Sequence, residues 1–117
     1  MPPSSNHSKP LEWARPALDA TRALPPGARR SLGYQLDRVQ RGQAPDDFKP
    51  MRTVGPGVYE VRVRDGGRAF RSFYVAQFEE AIYVLHVFEK KSQKTAPNDL
   101  ATGRSRYRDL VERRQNF

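Results

Sequence analysis

Residues 55–94 read GPGVYEVRVRDGGRAFRSFYVAQFEEAIYVLHVFEKKSQK, and they are expected to form most of a β-sheet. This stretch contains three runs that are typical of β-strands, joined by turns. In the first run, Tyr59, Val61 and Val63 alternate with charged residues, which is the period of a strand with one buried face. The turn that follows is Asp-Gly-Gly at residues 65–67, and glycines supply the positive φ angles that a tight hairpin needs. The pattern predicts an antiparallel meander that carries arginines on its strands.

The other two runs continue this meander. Residues 69–78 are aromatic and β-branched around Arg71, and the next turn is formed by Glu79 and Glu80. Residues 82–88 are apolar on both faces apart from His86, which predicts a central strand. Charges on strands are held in fixed positions, which is what a preorganised anion site needs.

Outside this stretch the sequence predicts an edge strand, two short helices, a further strand and a C-terminal helix, at residues 11–14, 16–24, 26–41, 50–54 and 95–114. In the second helix Leu32, Leu36 and Val39 form one apolar stripe, so the two helices are expected to form a hairpin that packs on the sheet. The predicted order is β-α-α-β-β-β-β-α, an α+β fold. Residues 1–9 are predicted to be a flexible arm, and residues 10–117 a single domain.

The composition favours a polyanionic partner. Twenty-one Lys and Arg against thirteen Asp and Glu give a net charge of +8, which predicts attraction to nucleic acid. The alternative is a basic surface that serves only solubility. The chain has no cysteine and two histidines, so we expect no disulfide, no metal and no cofactor. With no apolar run of about 18 residues and no signal-peptide core, a cytoplasmic protein without a membrane partner is expected.

Three segments resemble one protein family: PDDFKPMRTVGPGVYEVRVRD, FRSFYVAQFEEAIYVLHVFEKKSQKT and RSRYRDLVERR. They are similar to the RelE/ParE superfamily of type II toxins, and within it to the phage-derived HigB-like branch. The resemblance covers residues 11–114. Its more specific part is the Lys-Lys-x-x-Lys-Thr motif at residues 90–95, which follows an upstream Arg-x-x-Tyr at residues 71–74.

The resemblance implies a small twisted antiparallel sheet with an N-terminal helical hairpin and one C-terminal helix. It also implies an mRNA interferase, a ribosome-dependent endoribonuclease that stops translation. Its expected partners are mRNA, the ribosome and a HigA-like helix-turn-helix antitoxin. Without a metal, such an enzyme uses the 2′-OH of its RNA substrate to attack the scissile phosphate. The reaction then needs a base, an acid and cations that stabilise the phosphorane.

The candidate catalytic residues follow from these needs. Arg71 matches the strand arginine that the family uses against the scissile phosphate. Arginine suits this task because its planar guanidinium binds phosphate through paired hydrogen bonds. The alternative is that Arg71 forms a salt bridge to Glu60 or Glu89. Arg62 lies in the strand where relatives carry basic catalytic residues, and a solvated strand face is its alternative. Lys91, which lies where the family often has a functional arginine, is the third catalytic candidate. Glu60 is the fourth.

Glu60 departs from the family pattern, since relatives of the RelE type carry lysine at that position. Because Glu60 shares a strand face with Arg62 and Arg64, we expect it to act as the general base or to orient Arg62. Four further cations are expected to bind RNA, with flexible or solvated surface side chains as the alternative. These are Arg64, Arg68, Lys90 and Lys94.

Two weaker candidates for RNA contact are Tyr74 and His86. The alternative for Tyr74 is packing in the core, and the alternative for His86 is a structural residue with hydrogen-bonded ring nitrogens. Many relatives carry a tyrosine or histidine just after the last strand, where this chain has Ser92, Gln93 and Thr95, so the general acid stays open. A non-catalytic RNA- or ribosome-binding protein of the same fold is therefore one alternative function. A ParE-like gyrase poison is another, independent of this argument.

Overall fold

The computed structural model describes residues 8–116, and its elements follow the predicted order. The α+β fold class is therefore confirmed. The predicted N-terminal arm lies mostly outside the described residues, since residues 1–7 are not among them. The elements are β1 (Leu11–Trp13), α1 (Arg15–Arg22), α2 (Pro26–Gln40), β2 (Phe48–Pro50), β3 (Val58–Asp65), β4 (Arg68–Val75), β5 (Ile82–Lys90) and α3 (Pro97–Gln115).

The five strands form one sheet in the order β1-β5-β4-β3-β2. Strands β2 to β5 pair with one another in antiparallel fashion, as predicted, and Gly66 and Gly67 take the positive φ angles of +58° and +81° at the β3–β4 turn. Strand β1 is the expected edge strand, but it pairs with β5 in parallel. The sheet is therefore mixed, because β1 is joined to the meander through the helical hairpin rather than through a tight turn.

The strand predicted at residues 50–54 lies earlier, at β2, and residues 51–57 form turns instead. Pro50 has no N–H to donate, so it suits the edge of the sheet. The turn ends at Gly57, with φ +79°, and Met51 donates its N–H to the Val58 carbonyl at 2.8 Å. Met51 and Val54 are apolar because they are buried in the core, not because they belong to a strand.

Both faces of the sheet are covered by helices, but to different extents. Helices α1 and α2 cover one face, where the predicted stripe of Leu32, Leu36 and Val39 is buried with β3, β4 and β5 side chains. Helix α3 packs on the other face, chiefly along β5, and buries Leu110 against a cluster that includes Phe73. This leaves part of the second face open beside α3, and Glu60, Arg62, Arg64 and Arg71 lie on that face.

No helix within residues 8–116 is long and apolar enough to cross a membrane.

Candidate active site

Strand pairing brings four charged residues of β3 and β4 together on the face that α3 covers only in part: Glu60, Arg62, Arg64 and Arg71. Arg62 and Arg71 are direct partners across the two strands. Glu60 lies two residues before Arg62 on β3 and is the direct partner of Phe73. Residues directly opposite in antiparallel strands point to the same face, so the predicted grouping of Glu60, Arg62 and Arg64 also includes Arg71. Two like charges directly opposite repel each other, so this arrangement needs a counter-ion.

Glu60 is that counter-ion. Its side chain is fully buried, at 0% exposure, and its Oε1 accepts hydrogen bonds from Arg71 Nη1 at 2.9 Å and from Arg62 Nε at 3.3 Å. The salt bridge that we considered for Arg71 is therefore present. A carboxylate that is buried beneath two guanidinium groups fits the hypothesis that Glu60 orients arginines. It does not fit the hypothesis of a general base, which must reach the substrate.

An open groove of about 700 Å³ lies beside this pair. Five of the candidate cations line it, on β3, β4 and β5 and in the loop after β5: Arg64, Arg68, Arg71, Lys90 and Lys91. Arg71 is only 12% exposed and is the most buried of the ion-paired arginines. Arg62 lies outside the lining and also contacts Asp47, at 3.4 Å, while Lys94 is exposed in the same loop.

The cations of the groove differ in how they are held. Arg68 donates two hydrogen bonds to Glu89, at 2.9 and 2.8 Å, and these bonds lower the pKa of Glu89. Lys90 donates through Nζ to the carbonyls of Ser92, at 2.8 Å, and of Gln93, which closes the start of the loop. Within residues 8–116, Arg64 and Lys91 form no ion pair. The groove therefore keeps an excess of positive charge at its rim.

Lys49 belongs to this electrostatic environment and was missed by the sequence analysis. It lies on β2 as the direct partner of Glu60, so it shares the face of the arginines. The pKa of Lys90 is lowered first by burial and then by the charges of Arg71, Lys49 and Arg62, against an opposing effect of Glu60. The sequence predicts this position of Lys49 only if the edge strand is placed at residues 48–50.

The chain matches the family model described as "Phage derived protein Gp49-like" over residues 19–108. It belongs to this phage-derived Gp49-like family. Among solved structures it is similar to the Escherichia coli toxin RelE, in a mutant with two arginines replaced by alanine, in the free state. The TM-score is 0.59 at 20% identity, over 91% of this chain and 97% of that chain, which shows a RelE-like fold. No curated protein matches the sequence.

Tyr74 of the Gp49-like domain does not lie at the groove. It is 3% exposed, on the face that α1 and α2 cover, and its ring stacks on Tyr59 at a centroid distance of 6.0 Å. Burial raises the pKa of Tyr74 to about 12. The spacing explains this result, since residues three apart on a strand point to opposite faces, so Arg71 and Tyr74 cannot face the same site. The RNA contact predicted for Tyr74 is corrected to a core position.

His86 lies on the same sheet face as Arg71 but beneath α3. Its Nε2 is 2.7 Å from Asp99 Oδ1, and its Nδ1 is 3.3 Å from Arg106 Nη1. Burial lowers the pKa of His86, partly offset by Asp99. This is the structural alternative that we considered for His86, and its two partners follow 13 and 20 residues later, where no sequence pattern indicates them.

Within residues 8–116, no group of three or more His, Asp or Glu side chains is arranged to hold a metal ion.

Proposed function

We propose that this protein is the toxin of a type II toxin–antitoxin pair and acts as a ribosome-dependent mRNA endoribonuclease. The proposal rests on the position of Arg71. This residue is fixed on a central strand by the buried Glu60, and it lines a groove that further cations also line. Membership in the Gp49-like family and a RelE-like fold support it. A preorganised cation at the place where negative charge develops is a large contribution to catalysis of this kind.

The reaction that fits this groove is a transesterification. The 2′-oxygen of one nucleotide attacks the adjacent phosphorus, and the 5′-oxygen of the next nucleotide is the leaving group. The 2′-oxygen forms the new bond and releases its proton, while the bond to the 5′-oxygen breaks and that oxygen gains a proton. The products are a 2′,3′-cyclic phosphate and a 5′-hydroxyl end. In this proposal Arg71 stabilises the negative charge of the phosphorane. Arg62, its partner across the two strands, and Lys91, in the loop after β5, add positive charge beside it. Glu60 acts on the arginines and not on the substrate.

The proposed partners are mRNA and the ribosome, together with an antitoxin that we expect to be a HigA-like helix-turn-helix protein. The net charge of +8 favours RNA-rich surfaces and an acidic protein surface as binding partners. Assignment to the HigB-like branch is part of the proposal, and it predicts that the neighbouring gene encodes this antitoxin.

A second candidate is a non-catalytic RNA- or ribosome-binding protein of the same fold. One observation favours it: within the described residues, no histidine or tyrosine with a free polar group lines the groove, since His86 uses both ring nitrogens and Tyr74 is in the core. Such a protein would keep the cations for binding and lack the proton transfers.

Cleavage of an mRNA in a reconstituted translation system separates the two candidates. Wild type is compared with Arg71→Ala and with Arg108→Ala, which removes the same charge from the exposed side of α3. We expect ribosome-dependent cleavage by wild type and by the control, and a loss of about 100-fold or more for Arg71→Ala, the range for one electrostatic catalytic group. If wild type cosediments with ribosomes but never cuts, the binding protein is the better reading.

A further inference from the structure

The loop at residues 91–96 joins β5 to α3. It lines the groove with Lys91, Ser92 and Gln93 and also carries the exposed Lys94. Its own contacts are few: Lys90 Nζ bonds two carbonyls within it, and Ser92 Oγ donates to the Lys94 carbonyl at 2.8 Å. The position of the loop therefore depends on how its second end, the first turn of α3, is fixed to the sheet.

That first turn is fixed by a three-residue cluster at an irregularity of β5. The pairing of β4 with β5 shifts by one residue between Phe73 and Tyr74, so Leu85 is left opposite no residue of β4. His86 lies beside this bulge, and α3 contacts it at two points. Asp99, in the first turn, bonds the ring at Nε2, and Arg106, two turns later on the same side of α3, bonds Nδ1 and the Leu85 carbonyl, the latter at 2.9 Å.

The geometry determines the tautomer of His86. A guanidinium only donates hydrogen bonds, so Nδ1 must accept from Arg106, and the ring proton lies on Nε2, which donates to Asp99. The ring is also stacked on Phe88, with centroids 4.9 Å apart and planes 20° apart. Phe88 in turn is the direct β5 partner of Arg71. A neutral imidazole thus connects the start of α3 with the strand position next to the candidate catalytic arginine.

Close approach of α3 to the sheet makes this contact possible. Gly103 lies between Asp99 and Arg106 on the helix, and a Cβ there would lie 2.7 Å from Phe73 Cδ2 and 3.0 Å from Val54 Cγ1. The glycine therefore brings the helix near enough for short side chains such as Asp99 to reach β5.

We propose that His86, Asp99 and Arg106 form a positioning cluster that holds the first turn of α3 on the β5 bulge and thereby fixes the basic loop at residues 91–96 along the groove. The part of this inference that concerns RNA rests on the proposed function, whereas the part that concerns the loop does not. His86 acts through the loop and through Phe88, and it is a positioning residue, not a catalytic one.

The cluster also predicts a response to acid. The charged groups that face the ring are Asp99 and Arg106, both on α3, and the sheet neighbours Phe73 and Phe88 carry no charge. A second ring proton would lie on Nδ1 and point at the Arg106 guanidinium, so protonation breaks that bond. Burial keeps the pKa of His86 below its ordinary value of 6.5. The cluster is therefore intact at neutral pH and loosens as the pH falls through this lowered pKa.

The test compares two variants of the cluster with one matched control. His86→Leu keeps apolar bulk and removes both hydrogen bonds, whereas His86→Gln keeps one donor and one acceptor. The control, Glu80→Gln, weakens the other end of α3, where Arg114 donates to Glu80 at 2.8 and 3.1 Å. Limited trypsin digestion followed by mass spectrometry measures the cleavage rate after Lys91 and Lys94.

We expect cleavage in the loop to be at least about tenfold faster in His86→Leu, because the loss of one charge-assisted hydrogen bond that holds a local closed state already gives that ratio and this variant loses two. Recovery is expected in His86→Gln, and no change in Glu80→Gln. In the mRNA cleavage assay, His86→Leu should raise KM about tenfold and change kcat less, since loop contacts bind RNA before and during the reaction.

Loop cleavage at the wild-type rate in His86→Leu overturns the proposal, and so does equally fast loop cleavage in Glu80→Gln, which would mean general fraying of α3. If the loop opens as expected but wild type does not cut mRNA, the positioning cluster stands and the nuclease function falls. If mRNA is cut by wild type and His86→Leu opens the loop without changing KM, the link between loop and RNA is rejected.

Discussion

Replacement of Glu60 by glutamine removes a buried negative charge from between two arginines and keeps the shape of the side chain. Loss of one partner of a buried ion pair costs about 3–5 kcal/mol, because the other charge stays buried without compensation. The amide oxygen of glutamine can still accept from Arg71, at a distance of 2.9 Å in the wild type, and recovers about 1 kcal/mol. Arg71 is 12% exposed, so it gains little from solvent. We expect the free energy of unfolding to fall by about 2–4 kcal/mol.

Urea unfolding at neutral pH measures this loss, with Glu89→Gln as the control. That variant removes the same charge from the pair of Glu89 with Arg68, whose side chain is 52% exposed, and exposed ion pairs contribute little to stability. If Glu60→Gln is no less stable than Glu89→Gln, the carboxylate is not the counter-ion that holds the arginines, and our interpretation of the site is refuted.

The same variant distinguishes the two roles considered for Glu60. If Glu60 orients arginines, Glu60→Gln lowers the rate of mRNA cleavage but leaves the shape of the pH–rate profile unchanged. If Glu60 is the general base, the variant also loses the acidic limb of that profile. The geometry of the site leads us to expect the first result.

Two further predictions concern α3. Gly103→Ala should destabilise the protein, because overpacking against the buried Phe73 ring costs about 1–3 kcal/mol and exceeds the gain of about 1 kcal/mol in helix propensity. Gly33→Ala on α2, where nothing lies within 4 Å of the new Cβ, should stabilise it, and thermal unfolding that shifts in one direction for both variants would contradict the close packing of α3. The pKa of Glu80 is lowered to about 2, first by its hydrogen bond to Arg114, so its contribution to stability is present above its ordinary value of 4.5 and is lost as the pH falls through about 2. Unfolding measured between these pH values should show a weaker pH dependence in Arg114→Gln than in wild type.

The elements with a strong local period were predictable from the sequence. The alternation in β3, the Gly-Gly turn and the stripe of Leu32, Leu36 and Val39 each depend on contacts that one face of one element makes, so a single period reveals them. The edge position of β1 was expected from its short length, and the interior position of β5 from its apolar residues on both faces. The parallel pairing of β1 with β5 could not be predicted, because it joins residues about 70 positions apart, such as Leu11 and Ile82.

The positions of the strand cations could be predicted from the sequence, and the burial of the acid between them could not. Alternation placed Glu60 correctly on the face of Arg62, but it also implied that this face is solvated. The second face is in fact a core beside α3, and the arginines cover Glu60 there, so its burial depends on tertiary packing that no local pattern records. The partners of His86 were hidden for the same reason. In contrast, the position of Tyr74 on the sheet face opposite Arg71 follows from the spacing of the two residues alone.

In the proposed function, the groove beside Arg71 cleaves RNA through the 2′-OH of the substrate. The most direct test uses wild-type protein, ribosomes and an mRNA in which the nucleotide on the 5′ side of the mapped scissile phosphate carries a single 2′-deoxy substitution. We predict that the all-ribose mRNA is cut to a 2′,3′-cyclic phosphate end and that the substituted mRNA is not cut at that position. Equal cleavage of the two mRNAs would contradict the account.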